Sequence, residues 1–217
     1  MESPVRPRDA HQNDPAFRLI ETLGWHPGAG FRHQAQHLAR MGRSAAEFGI
    51  HFDPQQAQRV LAGVAGGAPL RCRLTLDAAG QLALATAPLG RTPAGWRLGI
   101  AETRLKAGDI WLQHKTTRRT LYDTARAELP AGLDELLFLN QRDELCEGTI
   151  TNLFVTRADG RMVTPPLSCG LLPGVLRQVL LENGQCAEAV LRLEDLHGAQ
   201  AIHMGNSLRG LIPATLV

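Results

Sequence analysis

Apolar and polar positions divide this chain into two stretches of different rhythm. In the first, Phe17 to Leu23 alternates as a strand does and is ended by Gly24 and the Pro27-Gly28-Ala29-Gly30 turn. From Phe31 to Phe48 the apolar residues Ala35, Leu38, Met41, Ala45 and Phe48 recur at the spacing of an amphipathic helix. Asp53-Pro54 predicts the start of a second helix, with Asp53 as N-cap and proline at the first helical position, running to about Val64. Leu70 to Leu76 and Gln81 to Ala87 alternate on either side of Asp77-Ala78-Ala79-Gly80, a hairpin pattern. Strand, two helices and hairpin make a small α+β unit.

The second stretch is richer in strands. Trp96 to Ala101, Asp109 to Leu112, Glu135 to Leu139, Gly148 to Thr156 and Arg161 to Val163 read as strands, and Thr117 to Leu129 as a helix. A further helix is predicted from Pro173 to the Asn183-Gly184 stop. Ala187 to Leu193, Ala199 to His203 and Leu211 to Val217 supply further β or short helical pieces. The boundary between the stretches falls near residues 87–95, where Pro and Gly cluster. The expected organisation is a poorly ordered polar leader over residues 1–15, a small domain over 16–90 and a larger one over 91–217.

Composition narrows the function classes. The chain has 217 residues, a formal net charge of +2 and its basic and acidic residues intermixed, so no basic stripe for nucleic acid forms. No apolar run approaches the ~18 residues of a membrane span, and the N-terminus lacks the apolar core of a signal peptide. The four cysteines show no Cys-x-x-Cys spacing, which favours free thiols and a cytoplasmic setting.

Among the 23 basic residues only Lys106 and Lys115 are lysines. Arginine serves most electrostatic purposes of lysine but is not a usable amine nucleophile, so each remaining lysine is a candidate for amine chemistry. Lys106 sits in a solvated Leu-Lys-Ala-Gly-Asp turn, whereas Lys115 lies in Gln-His-Lys-Thr-Thr-Arg-Arg ahead of a helix. A plain surface role stays open for Lys115 on this ground alone.

Three other features suggest a phosphorylated, electrophilic cofactor. Glu147, between Cys146 and Gly148 and ahead of an apolar strand, is expected to be at least half buried and so to need a cationic or hydrogen-bonding partner. An arginine pair or a turn cap would satisfy it equally. Leu172-Pro173-Gly174-Val175-Leu176 opens a helix whose unpaired N–H groups favour an anion, and Gly174 allows a phosphate close to the backbone. Asn206, Ser207 and Arg209 form a small polar loop between apolar strands, suited to phosphate or carboxylate, or to an ordinary turn. No metal motif arises: His33 and His37 lack the glutamate of His-Glu-x-x-His, and no Gly-x-Ser-x-Gly, Walker or dinucleotide pattern occurs.

In order along the chain, these segments resemble the class IV (fold-type IV) pyridoxal-phosphate enzymes. The similarity is most specific from Glu147 through Asn152-Leu153-Phe154 and Thr164-Pro165-Pro166 to Leu172-Pro173-Gly174 and Arg177, and it spans roughly residues 17–217. The resemblance implies a small α/β domain beside a larger β-barrel-like domain with helices, and pyridoxal 5'-phosphate as cofactor. It implies Lys115 as the Schiff-base lysine and general base, and Glu147 as partner of the pyridine nitrogen. It further implies Arg40, the backbone of Gly174, Val175 and Leu176, and Asn206 and Ser207 around the phosphate, with Arg209 on a substrate carboxylate. Lys115-Thr-Thr-Arg-Arg and Gly205-Asn206-Ser207-Leu208 are more similar to the family's 4-amino-4-deoxychorismate lyases than to its aminotransferases. The implied reaction yields 4-aminobenzoate and pyruvate for folate precursor synthesis, in a homodimer acting on a small molecule. The alternatives within the resemblance are an aminotransferase of branched-chain or D-amino acids, or a catalytically silent homologue serving as a partner or binding subunit. Family members open with an additional hairpin where this chain has a polar leader, so the small domain is expected to be trimmed.

Overall fold

The structure is a computed structural model that describes residues 14–217. Most of the leader lies outside the described residues, and Asp14 and Pro15 form a turn into the first strand, with Phe17 N–H donating to Asp14 O at 3.0 Å. The chain divides into two units. One takes in the described part of Met1–Gly90 and the short segment His114–Arg118; the other comprises Arg91–Gln113 and Arg119–Val217.

The first unit is a four-stranded antiparallel sheet with two helices. Its elements are β1 (Arg18–His26), β2 (Gly30–Phe31), α1 (Gln34–Phe48), α2 (Pro54–Ala62), β3 (Leu70–Asp77) and β4 (Leu82–Pro88), with strand order β2-β1-β3-β4. The apolar positions Leu38, Met41, Ala45 and Phe48 of α1 are buried, as the helical spacing predicts, and α1 packs on β1. Burying Leu38, Met41 and Phe48 contributes about 1.5–3 kcal/mol each. Gly49 ends α1 in the left-handed region at φ 67°, which only glycine adopts at little cost. Asp53 caps α2, its Oδ1 accepting from Gln55 N–H at 2.8 Å.

The second unit is built around a ring of strands. Its elements are β5 (Trp96–Leu105), a 3-10 turn (Ile110–Gln113), α3 (Thr120–Ala127), β6 (Glu135–Asn140), β7 (Leu145–Gly148), β8 (Asn152–Thr156), β9 (Met162–Thr164), a second 3-10 turn (Leu167–Cys169), α4 (Val175–Glu182), β10 (Ala187–Glu188), α5 (Leu193–His197), β11 (Ala201–Asn206) and β12 (Gly210–Leu216). The eight strands run β10-β9-β8-β11-β12-β5-β6-β7, and an added β7–β8 pairing closes six of them into a barrel. Period-two alternation sorts the strand residues between two layers. Leu137 and Leu139 of β6, Leu153 and Val155 of β8, Met204 and Ile212 share one core cluster. Phe138, between the two leucines, packs instead with Leu105, Cys146, Cys169 and Leu171, and Phe154 with Leu176, Leu180 and Cys186.

Two strands expected from pattern take a different form. Asp109 to Leu112 is no strand. The Asp109 carboxylate takes Trp111 N–H at 3.0 Å and its carbonyl takes Leu112 N–H at 3.2 Å, which winds the segment into a 3-10 turn. Gly148 to Thr156 is interrupted, because Gly148 N–H donates to Thr151 O at 2.8 Å and turns the chain between β7 and β8. Ala187 to Leu193, expected as β or short helical structure, holds the strand Ala187–Glu188 and reaches the start of α5 at Leu193, where the Asp195 carboxylate accepts Arg192 N–H at 2.7 Å. Among the described residues no helix is long and apolar enough to cross a membrane, and the four cysteines are free and buried.

Candidate active site

Glu147 lies at the end of β7 with 5% of its surface exposed, and its carboxylate is ringed by donors. The Tyr122 hydroxyl, from α3, donates to Oε1 at 2.7 Å; Leu172 N–H donates to Oε2 at 3.1 Å, and Asn152 Nδ2 reaches the same oxygen at 3.5 Å. A buried carboxylate held by several donors is stabilised as the anion. Tyr122 stays a protonated donor. Burial first, then the charge of Glu147, drives its hydroxyl far above the ordinary phenol range.

The turn that follows Glu147 has its own anchor. Glu135, fully buried at the start of β6, accepts from Thr149 N–H at 3.1 Å, Thr149 Oγ1 at 2.5 Å and Thr151 Oγ1 at 3.1 Å. Arg119 donates to Thr149 O at 2.9 Å and Arg126 to Thr149 Oγ1 at 3.2 Å. A Cβ on Gly148 would stand 2.6 Å from Thr151 Oγ1 and 2.9 Å from the Glu135 carboxyl, so glycine is required there for the turn to close.

Asn152 ties Glu147 to the helix start beyond it. Its Nδ2 also donates to Leu172 O at 3.0 Å, and a side chain at Gly174 would fall on its amide oxygen. Gly174 is the N-cap of α4 and offers no capping side chain, so the first N–H groups of the helix, at Val175 and Leu176, are oriented for an anion. Here the helix begins two residues later than Pro173. The end of β11 lies against this first turn: a Cβ on Gly205 would meet Leu176 Cδ2 at 3.0 Å and Phe154 Cε2 at 3.0 Å. Asn206 then shapes the hairpin to β12, accepting Leu208 N–H at 3.1 Å and Arg209 N–H at 3.0 Å while its Nδ2 donates to Ile150 O at 3.2 Å. Ser207 is buried in this loop, and the Arg209 carbonyl accepts from Thr92 Oγ1 at 3.3 Å. Arg177, in the first turn of α4, donates to Pro165 O at 2.8 Å and pairs with Glu188.

The structure thus gathers Glu147, Gly174, Val175, Leu176, Asn206, Ser207 and Arg209 in the second unit. Lys115 and Arg40 belong to the first. Lys115 is half-buried in a segment that lies antiparallel to β1, its carbonyl accepting Ile20 N–H at 2.8 Å while Thr117 N–H donates to Arg18 O at 3.0 Å. Next to it, His114 accepts or donates at Nδ1 to Ser44 Oγ at 2.9 Å and stacks edge-on against Phe48. Arg40 is buried against Glu21, with Nε–Oε1 at 2.8 Å and Nη2–Oε2 at 2.6 Å, and His37 Nδ1 lies 2.6 Å from the same carboxylate. Burial raises the proton affinity of Glu21, but the Arg40 charge and the bonds from His37 and Arg40 prevail and hold it down to about 2. Lys106 is exposed.

Tyr122, Glu135 and Glu21 carry these networks without having stood out in the sequence, and Asn152 stood out only as part of the Asn-Leu-Phe of the resemblance. Their partners are distant or unremarkable in pattern, although Tyr122 is the single tyrosine of the chain.

A buried carboxylate held by donors that include Tyr122, Leu172 N–H and Asn152, joined through one loop to an uncapped helix start, fits a planar cationic heterocycle bearing a phosphate. With a closed six-stranded ring this defines a fold-type IV pyridoxal-phosphate enzyme. The chain belongs to the amino-transferase class IV family, whose profile matches residues 18–217. It is similar to the crystal structure of a "Putative amino-acid aminotransferase" from Mesorhizobium loti, at 48% identity and TM-score 0.87, over 93% of this chain and 100% of that one. It is similar to 4-amino-4-deoxychorismate lyase from Pseudomonas aeruginosa at 26% identity and TM-score 0.79, over 100% of this chain and 87% of that one. A "Putative aminodeoxychorismate lyase" of Schizosaccharomyces pombe is 28% identical over 83% of this chain and 82% of its own length. Other curated relatives are matched over less than half of their length.

Proposed function

We propose that this protein is a lyase that converts 4-amino-4-deoxychorismate to 4-aminobenzoate and pyruvate. The observation that carries the cofactor half of this reading is the buried Glu147 carboxylate, held as an anion by Tyr122 and Leu172 N–H. Likeness to lyases over most of the chain supports the substrate half. Pyridoxal phosphate, when bound, supplies an electron sink for the carbon that bears the substrate amine. Glu147 keeps the ring nitrogen protonated. The N–H groups of Val175 and Leu176, with Asn206 and Ser207, would take the phosphate, to which the family resemblance also assigns Arg40. Lys115 would carry the cofactor through its amine and, as a free amine, would serve as general base toward the proton on the ring carbon that bears the substrate amine. Breaking the carbon–oxygen bond to the enolpyruvyl group would leave an aromatic ring, the departing enolate taking up a proton to become pyruvate, and Arg209 would hold a substrate carboxylate.

An aminotransferase on the same residues is the second reading, favoured by the name of the Mesorhizobium loti protein. The protein is loaded with pyridoxal phosphate and given 4-amino-4-deoxychorismate, and 4-aminobenzoate release is followed with and without an added keto acid. Release without keto acid supports the lyase. Turnover of amino acids that depends on a keto acid, with no 4-aminobenzoate, overturns it. We further propose a homodimer.

A further inference from the structure

The hydroxyl of Tyr122 occupies one oxygen of the carboxylate assigned to the cofactor nitrogen, at 2.7 Å, and neither the family resemblance nor the reaction requires it. Its ring is fixed edge-on against Phe138 at 5.2 Å, with the Arg119 guanidinium 5.7 Å from the ring centre. The hydroxyl therefore points at Glu147 through packing on β6 and not through a flexible loop. We propose that Tyr122 is a positioning residue that governs how the proton is shared between Glu147 and the cofactor ring nitrogen. This rests on the assignment of Glu147 to that nitrogen.

A carboxylate oxygen that already accepts a strong hydrogen bond is a poorer proton acceptor. With Tyr122 donating, Glu147 stays anionic and the proton stays on the nitrogen, where positive charge draws electrons from the reacting carbon. Without that donor, Glu147 competes for the proton, and the nitrogen loses part of its charge. Groups facing this pair include Cys146, a buried thiol whose proton affinity burial raises, Arg119 beside the phenol ring, and the neutral donors Asn152 and Leu172 N–H. Burial and the charge of Glu147 keep Tyr122 protonated throughout the accessible pH range, so it acts as a donor and not as an acid.

The chain has one tyrosine, so feeding 3-fluorotyrosine during expression alters Tyr122 alone. The fluorinated phenol is the stronger donor and Tyr122→Phe is no donor, so the two changes push in opposite directions. The measurement is the visible absorption band of the protein loaded with pyridoxal phosphate, followed against pH in wild type, Tyr122→Phe and the fluorotyrosine protein. The expected result is displacement of the band or of its pH transition to opposite sides of wild type. The transition rises in Tyr122→Phe by about half a pH unit or more. With it, kcat falls about tenfold while KM stays within about twofold. A purely structural role would lower yield and stability without opposite shifts. Bands and transitions that coincide in all three proteins, or shift in the same direction, overturn the proposal and leave the cofactor assignment standing. No visible band in wild type defeats the cofactor assignment itself, and this proposal with it. Should Tyr122→Phe fail to fold, the fluorotyrosine protein against wild type decides alone.

Discussion

Asn152 and Gly174 exclude each other's freedom: the amide oxygen of Asn152 fills the space that any side chain at 174 would need. Because the Asn152 amide nitrogen also donates to Leu172 O and reaches Glu147, the contact sets the spacing between the acid and the start of α4. Gly174→Ala is expected to turn Asn152 out and to cost about 1–3 kcal/mol of stability. It should weaken pyridoxal-phosphate binding at the same time. Asn152→Ala in the same chain should recover part of the stability but not the binding. Thermal melts and a cofactor titration of the single and double variants check both.

Lys115→Ala should lack the visible band that borohydride removes from the loaded wild type, and its turnover should fall roughly 10²–10⁴-fold. Lys106→Ala, at an exposed turn, should keep both band and activity. Absorption spectra of the three proteins, before and after reduction, decide the matter.

Glu135 is expected to hold the turn that aims Glu147. Glu135→Ala leaves Thr149 N–H and two threonine hydroxyls without their acceptor, each at a cost of about 1–3 kcal/mol unless water enters. Glu135→Gln keeps an acceptor oxygen and should lose less. Urea denaturation gives the stability order, with wild type first, the glutamine variant second and the alanine variant last.

Acid sensitivity should trace in part to Glu21. Its folded value of about 2 lies below the ordinary 4.5, so the folded state binds its proton less readily than the unfolded chain does. The stability it adds is therefore present in full above pH 4.5 and is lost as the pH falls toward 2. The amount is on the order of 3 kcal/mol. Glu21→Gln should remove that slope from a plot of unfolding free energy against pH. It should also lower stability at neutral pH, because Arg40 is left buried without its counter-ion.

Local chemistry was legible in the sequence where neighbours decide it. The apolar spacing of α1, the Asp53-Pro54 start of α2 and the hairpin from Leu70 are written in adjacent residues, and the structure forms them there. The rarity of lysine singled out Lys115, and the apolar flanks of Glu147 implied its burial. What pattern did not reveal is decided at a distance. Tyr122 and Glu147 are 25 residues apart, and Glu135 and Thr149 are 14 apart. Glu21 and Arg40 are 19 apart. A single carboxylate at residue 109 outweighed strand propensity and wound a 3-10 turn. Gly148 broke a run of β-branched residues because the turn back onto Thr151 needs a position with no Cβ.

The seam between β7 and β8 rests on one residue pair, Glu147 opposite Asn152. The clasp of the barrel and the site proposed for the cofactor nitrogen are thus the same few atoms. Cofactor occupancy should consequently slow hydrogen exchange along this seam more than elsewhere in the ring. A variant of this protein retuned at either position for another chemistry would have to find a new way of fastening its fold.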